Sequence, residues 1–349
     1  MSVVLSVALV APETASAGDT IYDRYTVNGH SGYLSAWRVT GALNKPVIVV
    51  KGYDTVNTDH PADDLDNYIG TITQPLTDLG YDIIVFDYVN GEADLKVNAD
   101  NLAEFIRYLD GVISANGIDD GNNDGHPDYE LAVIGGSMGG IVARTMFVQE
   151  NEAMGVDTFV TIDSPHHGVL LSPYLDWATD YIDSVAGHQM LYGDAAYYEH
   201  YDWLRSVETS TAFRERVINP MHTAAIALSD GESAWHLDSG ELLYHTMFHD
   251  VSSYIENGNI KSDYVPYHSA VNMDNTEVEV LDQDWYYADL RYIDTHTSYF
   301  DLKIQNQRDR HGAPDYAIKQ AIDFVIEHSD RSESNAHRWL IPIINLLLE

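Results

Sequence analysis

Short apolar runs alternate with segments of helical periodicity along much of the sequence. The strand-like runs are 47–50, 81–89, 131–134, 158–162 and 223–229. The helix-like segments between them are 61–79, 94–116 and 138–153. Strands that alternate with helices of this length form a mostly parallel central sheet with helices on both faces. The sequence therefore predicts an α/β fold class, and its 349 residues suffice for one large domain with an insertion.

One serine stands among glycines in the stretch LAVIGGSMGGIVARTMFV, which begins at Leu131. Residues 135–139 fit the pattern G-x-S-x-G, centred on Ser137. An apolar strand-like run precedes the serine and a helix-like run follows it, so the turn would expose the hydroxyl above a helix N-terminus. The pattern predicts Ser137 as a nucleophile, and the alternative is a plain glycine-rich turn between strand and helix.

A nucleophilic serine needs N–H donors for the oxyanion that forms on the substrate. The first donor is usually the residue after the serine, here Met138. A second comes from the loop after an earlier strand, and Tyr53 in VVKGYD fits because Gly52 lets that loop approach closely. We therefore predict an oxyanion hole formed by Met138 and Tyr53.

These motifs resemble the α/β-hydrolase superfamily, in particular its lipase-like branch of bacterial triacylglycerol lipases and related acylhydrolases. The segment TIDSPHHGV (161–169) is similar to the S/T-P-H-x-G segment of those lipases. KGYD stands where they show His-Gly-aromatic, with Lys51 in place of the histidine. The resemblance is good over 45–170 and loose over 220–325. It implies an α/β-hydrolase fold, a central sheet with helices on both faces and an inserted cap.

In this superfamily the chain order of the triad is serine, acid, histidine. The stretch SDYVPYHSA resembles the segment that presents the acid in lipases, which makes Asp263 the first candidate. Asp230, directly after the run TAAIALS, is the alternative. His296 in RYIDTHTSYFD resembles the histidine turn of lipases, and His311, just before the last helix-like segment, is its alternative.

An Asp/Asn-rich stretch, DDGNNDGHPD, matches the opening of a calcium-binding loop. Its candidate ligands are Asp120, Asn122, Asp124 and Asp128, oxygen donors that a tight glycine turn would bring together. Leu131 occupies the twelfth position, which excludes an EF-hand. The alternative is a solvated turn between helix and strand. Calcium would be structural, and the predicted chemistry requires no cofactor.

Three further segments bear on domain organisation. Residues 1–17 combine the apolar run SVVLSVALV with a small-residue cleavage pattern, but no Lys or Arg precedes the run. We interpret them as the remnant of a signal peptide, which predicts a secreted or periplasmic protein; a frayed first strand is the alternative. Residues 18–330 would be the α/β-hydrolase domain with a cap insertion at about 171–220, and residues 331–349 an apolar tail.

Charge limits the classes of partner. Lys and Arg number 18 against 55 Asp and Glu, a net charge of −37. Such a chain repels nucleic acid and anionic membranes, so neither is expected as a partner. The same balance suits a protein kept soluble in a saline environment, although an ordinary acidic secreted protein would share it. There are no cysteines, which excludes disulfides and thiolate sites.

The combined prediction is a secreted serine hydrolase that cleaves carboxylic esters of neutral lipid or similar small acyl substrates through an acyl-enzyme. An acyltransferase or amidase would use the same triad, and a non-catalytic binding protein on a hydrolase scaffold is the contrasting interpretation. The sequence gives no indication of the oligomeric state.

Overall fold

A computed structural model of the chain describes residues 32–39, 43, 45–53, 73–115, 131–169, 183–191, 194–228, 253–256, 259–262, 279–280, 290–291, 300–305 and 315–329. The strands are β1 (Tyr33–Arg38), β2 (Pro46–Val50), β3 (Asp82–Tyr88), β4 (Leu131–Gly136), β5 (Val156–Ile162), β6 (His222–Ala227), β7 (Ser253–Glu256), β8 (Asn259–Ser262), β9 (Glu279–Val280), β10 (Leu290–Arg291) and β11 (Leu302–Gln305).

The helices are α1 (Gln74–Asp78), α2 (Leu95–Ala115), α3 (Met138–Glu150), α4 (Val185–Met190), α5 (Ala195–Glu208), α6 (Thr211–Phe213) and α7 (Asp315–Ser329). A π-helical turn, Arg214–Ile218, follows α6 directly. Within the described ranges, no helix is long and apolar enough to cross a membrane.

Seven of the described strands form one sheet in the order β1-β3-β2-β4-β5-β6-β11. β1 pairs antiparallel with β3, and every other neighbouring pair in this sheet is parallel. Two small antiparallel pairs, β7 with β8 and β9 with β10, stand apart from it. The predicted α/β class with a mostly parallel sheet is therefore confirmed.

The sheet is buried on both faces, as parallel sheets require. Alternate residues of each strand enter different apolar clusters: Ile48 and Ile84 join one, whereas Val47 and Ile83 join the other. The first cluster includes the buried sides of α2 and α3, and the second includes those of α1 and α7. This two-sided core fixes the ends of the strands, from which the loops of the candidate site start.

The predicted elements agree closely with those observed wherever the residues are described. Helix α2 corresponds to the predicted segment 94–116, and α3 to 138–153. Helix α3 ends at Asn151, whose positive φ of 54° provides a left-handed C-cap. The described parts of the predicted insertion, 183–191 and 194–220, are mainly helical. The predicted leader (1–17) and apolar tail (331–349) lie outside the described residues, so both stay predictions.

Candidate active site

The carboxyl ends of β2, β3, β4, β5 and β6 lie at the same edge of the sheet, because these strands run parallel. Ligands of open α/β sheets bind outside this edge. Ser137 follows the last residue of β4, Gly136, and immediately precedes α3. The predicted nucleophile thus lies at the sharp turn between a central strand and a helix.

The backbone of Ser137 is strained. Its φ and ψ angles are 50° and −124°, a region that residues with a side chain rarely adopt. Ser137 N–H donates to the Ile162 carbonyl at 2.8 Å, and its own carbonyl accepts from Gly140 N–H at 3.2 Å. Although Ser137 occupies the N-cap of α3, its side chain does not cap that described helix. Hydrogen bonds from two neighbouring elements therefore hold a conformation that the serine would not adopt by itself.

The close approach of β2 to α3 explains one glycine of the motif. A Cβ on Gly139 would lie 2.3 Å from the Val50 carbonyl oxygen and 2.6 Å from that of Lys51. Both atoms belong to the backbone and cannot move cheaply. Gly52, on the other side of the turn, is equally close to the nucleophile, since its Cβ would lie 3.2 Å from the Cβ of Ser137.

Two further glycines are required by the packing of α3 on β4 and β5. A Cβ on Gly135 would lie 2.5 Å from the Cα of Gly140. A Cβ on Gly140 would lie 2.1 Å from the Ser164 hydroxyl oxygen. The glycines at 135, 139 and 140 thus allow the backbone contacts that produce the turn, rather than merely making it flexible.

The predicted oxyanion residues flank this turn. Met138 is fully buried and is the first residue of α3, with its N–H at the positive end of the helix. Tyr53 is half-buried and packs against the larger core cluster. It directly follows Gly52, whose backbone faces Ser137. The structure therefore brings together Ser137, the first residue of α3 and the loop that carries Tyr53.

Lys51, which replaces the family's histidine, forms a partly buried ion pair. Its Nζ donates to the Asp87 carboxylate at 2.9 Å, and Asp87 is only 1% exposed. The hydroxyl of the neighbouring Tyr88 donates to the Lys51 carbonyl at 3.0 Å. Burial, and then the charge of Asp87, raise the pKa of Tyr88, so this hydroxyl stays protonated as a donor. These bonds hold the start of the loop after β2, which carries Tyr53, against β3.

Asp163 is a buried carboxylate beside the turn that the sequence analysis did not single out. It follows β5 directly, has a φ of 49° and is 1% exposed. Its N–H donates to the Ile226 carbonyl at 2.7 Å, and its carboxylate accepts from Leu228 N–H at 3.1 Å. Asp163 thus joins the carboxyl ends of β5 and β6.

The two histidines of the segment TIDSPHHGV are buried. His166 contacts the Thr161 hydroxyl at 3.3 Å, whereas its Nδ1 is buried without a partner. Burial, followed by the charges of Arg144 and His167, lowers the pKa of His166 well below its usual value. His167 Nδ1 pairs with the Tyr201 hydroxyl of α5 at 3.1 Å. A neutral His166 and a hydrogen-bonded His167 fit a structural role.

A buried ion pair connects the helix that follows the nucleophile with the insertion. Arg144 of α3 donates to both carboxylate oxygens of Glu208 of α5, at 2.7 and 2.6 Å. A third bond runs from the Arg144 guanidinium to the His166 carbonyl at 2.9 Å. Sequence analysis missed this pair, although one charged residue within the apolar stretch IVARTMFV signals a buried partner.

An open groove of about 520 Å³ lies along α4 and α5. Its lining residues are mostly polar: Asp94, Lys96, Val185, His188, Gln189, Asp194, Ala196, Glu199 and His200. The two ring nitrogens of His188 bond to Asp183 and Asp194 at 3.1 and 2.9 Å. Among the described residues, no cluster of three or more His, Asp or Glu could hold a metal ion.

The remaining predicted site residues lie outside the described ranges. These are Asp263, Asp230, His296, His311 and the calcium candidates Asp120, Asn122, Asp124 and Asp128. Their places along the chain are nevertheless informative. Asp230 comes three residues after the end of β6, and His311 comes six residues after the end of β11, in the connection to α7. His296 precedes β11, and Asp263 follows β8, which belongs to a separate small sheet.

Comparison with protein families supports this geometry. Residues 82–224, which include the turn at Ser137, match the family model of the PGAP1-like alpha/beta domain, part of the α/β-hydrolase superfamily. The match is confined to this segment of the 349-residue chain, and the segment is similar to that domain. Both the resemblance to lipase-like α/β hydrolases and the predicted fold class are thereby confirmed.

Solved structures similar to this chain include two that are described as lipases. The mature lipase BlEst2 of Bacillus licheniformis is 15% identical, with a TM-score of 0.42, covering 83% of this chain and 97% of the lipase. Est1E of Butyrivibrio proteoclasticus is 12% identical, with a TM-score of 0.42, covering 88% and 98%. A monoglyceride lipase variant of Saccharomyces cerevisiae is 14% identical, with a TM-score of 0.30, covering 50% and 53%. No curated protein matches the sequence significantly.

Proposed function

We propose that this α/β hydrolase cleaves carboxylic esters by nucleophilic catalysis at Ser137. The observation that carries the proposal is the backbone of Ser137, held at φ 50° between β4 and α3. A strained backbone raises the free energy of the folded state, and favourable packing around it must offset this increase. Such strain concentrates at functional sites. The same turn in α/β hydrolases presents the catalytic serine.

In the proposed reaction, Ser137 Oγ attacks the acyl carbonyl carbon and a histidine takes its proton. The N–H groups of Met138 and Tyr53 donate hydrogen bonds that stabilise the negative charge on the carbonyl oxygen. The histidine then protonates the departing alcohol, which leaves an acyl-enzyme. Water, activated by the same histidine, releases the acid and restores Ser137. The carboxylate holds the imidazole in the required orientation throughout.

The order of the strands bears on which histidine and carboxylate take part. β6 and β11 are parallel neighbours in the main sheet, and their carboxyl ends lie at the same edge as Ser137. Asp230 and His311 follow those two ends in the sequence. We therefore place Asp230 and His311 first as acid and base, with Asp263 and His296, favoured by sequence resemblance, as the alternatives.

The substrate is proposed to be a small neutral ester or the ester of a neutral lipid. A net charge of −37 disfavours anionic phospholipid, because the protein and such a surface repel each other. The helices of the insertion lie next to the loops of the site, as the contact of Tyr201 with His167 illustrates. They would form one wall of the acyl-binding site.

The test is hydrolysis of a nitrophenyl ester series of increasing acyl length. We expect Ser137→Ala to lower kcat by about 10⁴-fold or more while the protein stays folded. The matched control is Ser206→Ala, which removes an exposed serine hydroxyl from α5 and leaves kcat unchanged. A fluorophosphonate should label the wild type and not Ser137→Ala. Full activity of Ser137→Ala would contradict the proposal.

The same assay identifies the partners of Ser137. One set of substitutions removes each candidate separately: His311→Ala, His296→Ala, Asp230→Asn and Asp263→Asn. We expect one histidine substitution to approach the loss seen with Ser137→Ala, and His311→Ala to be that one. If only His296→Ala inactivates the enzyme, the assignment from strand order is wrong and that from sequence resemblance is right.

A further inference from the structure

A hydrogen bond joins the predicted oxyanion residue to the insertion. The hydroxyl of Tyr53 lies 2.7 Å from Ser184 Oγ, 131 residues away in the sequence. Ser184 is the N-cap of α4, and its Oγ also accepts from Gly187 N–H at 2.9 Å. Since that oxygen already accepts the cap bond and lies at hydrogen-bond distance from Tyr53, it is a fixed contact point for the loop beside Ser137.

Helix α4 itself is held by three other parts of the domain. Ala186 N–H donates to the Glu92 carbonyl at 3.2 Å, in the loop after β3. Gln189 Oε1 accepts from Leu95 N–H at 2.8 Å, at the start of α2. Val169 N–H, in the segment after β5, donates to the Met190 carbonyl at 2.7 Å. α4 therefore bridges the loops after β3 and β5, and Ser184 extends the bridge to the loop after β2.

We infer that Ser184 is a positioning residue for catalysis. Through its bond to the Tyr53 hydroxyl it fixes the position of the Tyr53 N–H, which donates a hydrogen bond to the oxyanion. The inference rests on the proposed function. An oxyanion donor acts only when it is fixed before the charge develops. Gly52, directly before Tyr53, permits close approach to Ser137 but provides no side chain to fix the loop. The phenol ring of Tyr53 and its bond to Ser184 provide that restraint.

The experiment measures kcat and KM for a nitrophenyl acetate in Tyr53→Phe, Ser184→Ala and the double variant. Loss of an entire oxyanion donor costs about 10²-fold or more, so a donor that is present but loosened should cost about tenfold in kcat with KM within about twofold. Both substitutions break the bond between Tyr53 and Ser184, and Ser184→Ala also removes the cap bond from Gly187 N–H, so we expect the double variant to match Ser184→Ala. Ser184→Thr, which keeps a hydroxyl, should restore kcat.

A second readout separates positioning from folding. A trifluoromethyl ketone binds as an oxyanion on the serine, so its inhibition constant should rise in parallel with the fall in kcat. The matched control is Ser210→Ala, since Ser210 also caps a helix of the insertion, α6, by accepting from Phe213 N–H. Ser210→Ala should change neither kcat nor the inhibition constant.

The outcomes distinguish this inference from the proposed function. If Ser137→Ala abolishes hydrolysis but Tyr53→Phe and Ser184→Ala keep wild-type kcat, the positioning role is wrong and the hydrolase proposal stands. Additive losses in the double variant, or a change in KM alone, would equally overturn the positioning role. If Ser137→Ala retains full activity, the proposed function itself fails.

Discussion

Arg144 and Glu208 form a bidentate ion pair, and their side chains are only 1% and 5% exposed. Taking two charges out of water is costly, and this geometry offsets the cost only while both partners are present. The pair connects the helix that starts at the nucleophile to the insertion. Its loss should therefore affect both the stability of the domain and the docking of α5.

We predict that Glu208→Gln lowers the free energy of unfolding by about 3–5 kcal/mol, because it leaves the buried guanidinium without its counter-charge. Urea denaturation followed by circular dichroism measures the change. Arg107→Gln is the control, since Arg107 pairs with Glu150 on the surface and should cost less than about 1 kcal/mol. A loss in Glu208→Gln no larger than that of the control would contradict a desolvated pair.

Gly139→Ala should strongly lower the proposed ester-hydrolase activity. The new Cβ would lie 2.3 Å from the Val50 carbonyl oxygen, so α3 or β2 must shift and carry Ser137 with it. A displacement of about 1 Å at a reacting atom costs about 10²-fold in rate. The control is Gly111→Ala in α2, where nothing lies within 4 Å of the added Cβ. That variant should keep its activity and gain about 0.5–1 kcal/mol in stability.

His188 should make the domain more stable at mildly acidic pH. Hydrogen bonds to Asp183 and then Asp194 raise the pKa of His188 above its usual value. The protonated form is favoured in the folded state, so its contribution is complete below about pH 6.5 and disappears as pH rises through the raised pKa. The charged groups that share its groove are Asp94, Lys96, Asp194 and Glu199.

The measurement for His188 is the melting temperature of the wild type and of His188→Gln across that pH range. The difference in melting temperature between the two proteins should be largest near about pH 6 and should vanish at alkaline pH. Asp183→Asn, which removes one carboxylate and leaves the imidazole, should reduce the difference without abolishing it. A difference that is constant with pH would show that His188 acts without titrating.

His200 has the opposite pH dependence. It is buried beside Thr145, and burial, followed by the charges of Arg144 and Lys96, lowers the pKa of His200 to about 3. The unfolded chain binds a proton there below about pH 6.5 while the folded chain does not, so stability falls with acidification by up to about 1.4 kcal/mol per pH unit. His200→Gln, with no titrating group, should show a shallower acid decline in urea denaturation. An unchanged slope would contradict a neutral His200.

Calcium is expected to raise the melting temperature if Asp120, Asn122, Asp124 and Asp128 form a cation site. Binding to the folded state alone adds about 2.7 kcal/mol at a ligand concentration of one hundred times Kd. Melting should therefore shift downward with excess chelator in the wild type. The melting temperature of the double variant Asp120→Asn/Asp124→Asn should not change with chelator. Melting of the wild type that is unaffected by chelator would disprove the site.

The turn at Ser137 could be predicted from sequence because its requirements are local. Close contact between β2, α3 and β5 permits only glycine at 139 and 140, so this packing is visible in the sequence as glycines next to Ser137. The strands could be predicted for a similar reason, since a sheet covered on both faces needs uninterrupted apolar runs.

The sequence ranked the candidate partners of Ser137 by resemblance alone, with Asp263 and His296 first, because it does not show which strands are neighbours. Asp230 follows β6 and Asp263 follows β8, and only the observed strand pairing shows that β6 belongs to the main sheet and β8 to a separate one. Glu208 was missed for the same reason. It lies 64 residues from Arg144 on an insertion whose placement the sequence pattern does not determine.

The unusual backbone of Ser137 depends on the packing around it. A serine in the first position before a helix ordinarily turns its hydroxyl onto the helix's free N–H groups, which is a favourable arrangement. Here the Ser137 side chain makes no such bond to the described helix α3, and hydrogen bonds to the Ile162 carbonyl and from Gly140 N–H hold the strained backbone. When heat or denaturant loosens them, the serine can relax into an ordinary helix cap with its oxygen occupied. Loss of the proposed ester hydrolysis should then precede the loss of helix and sheet on heating or in denaturant.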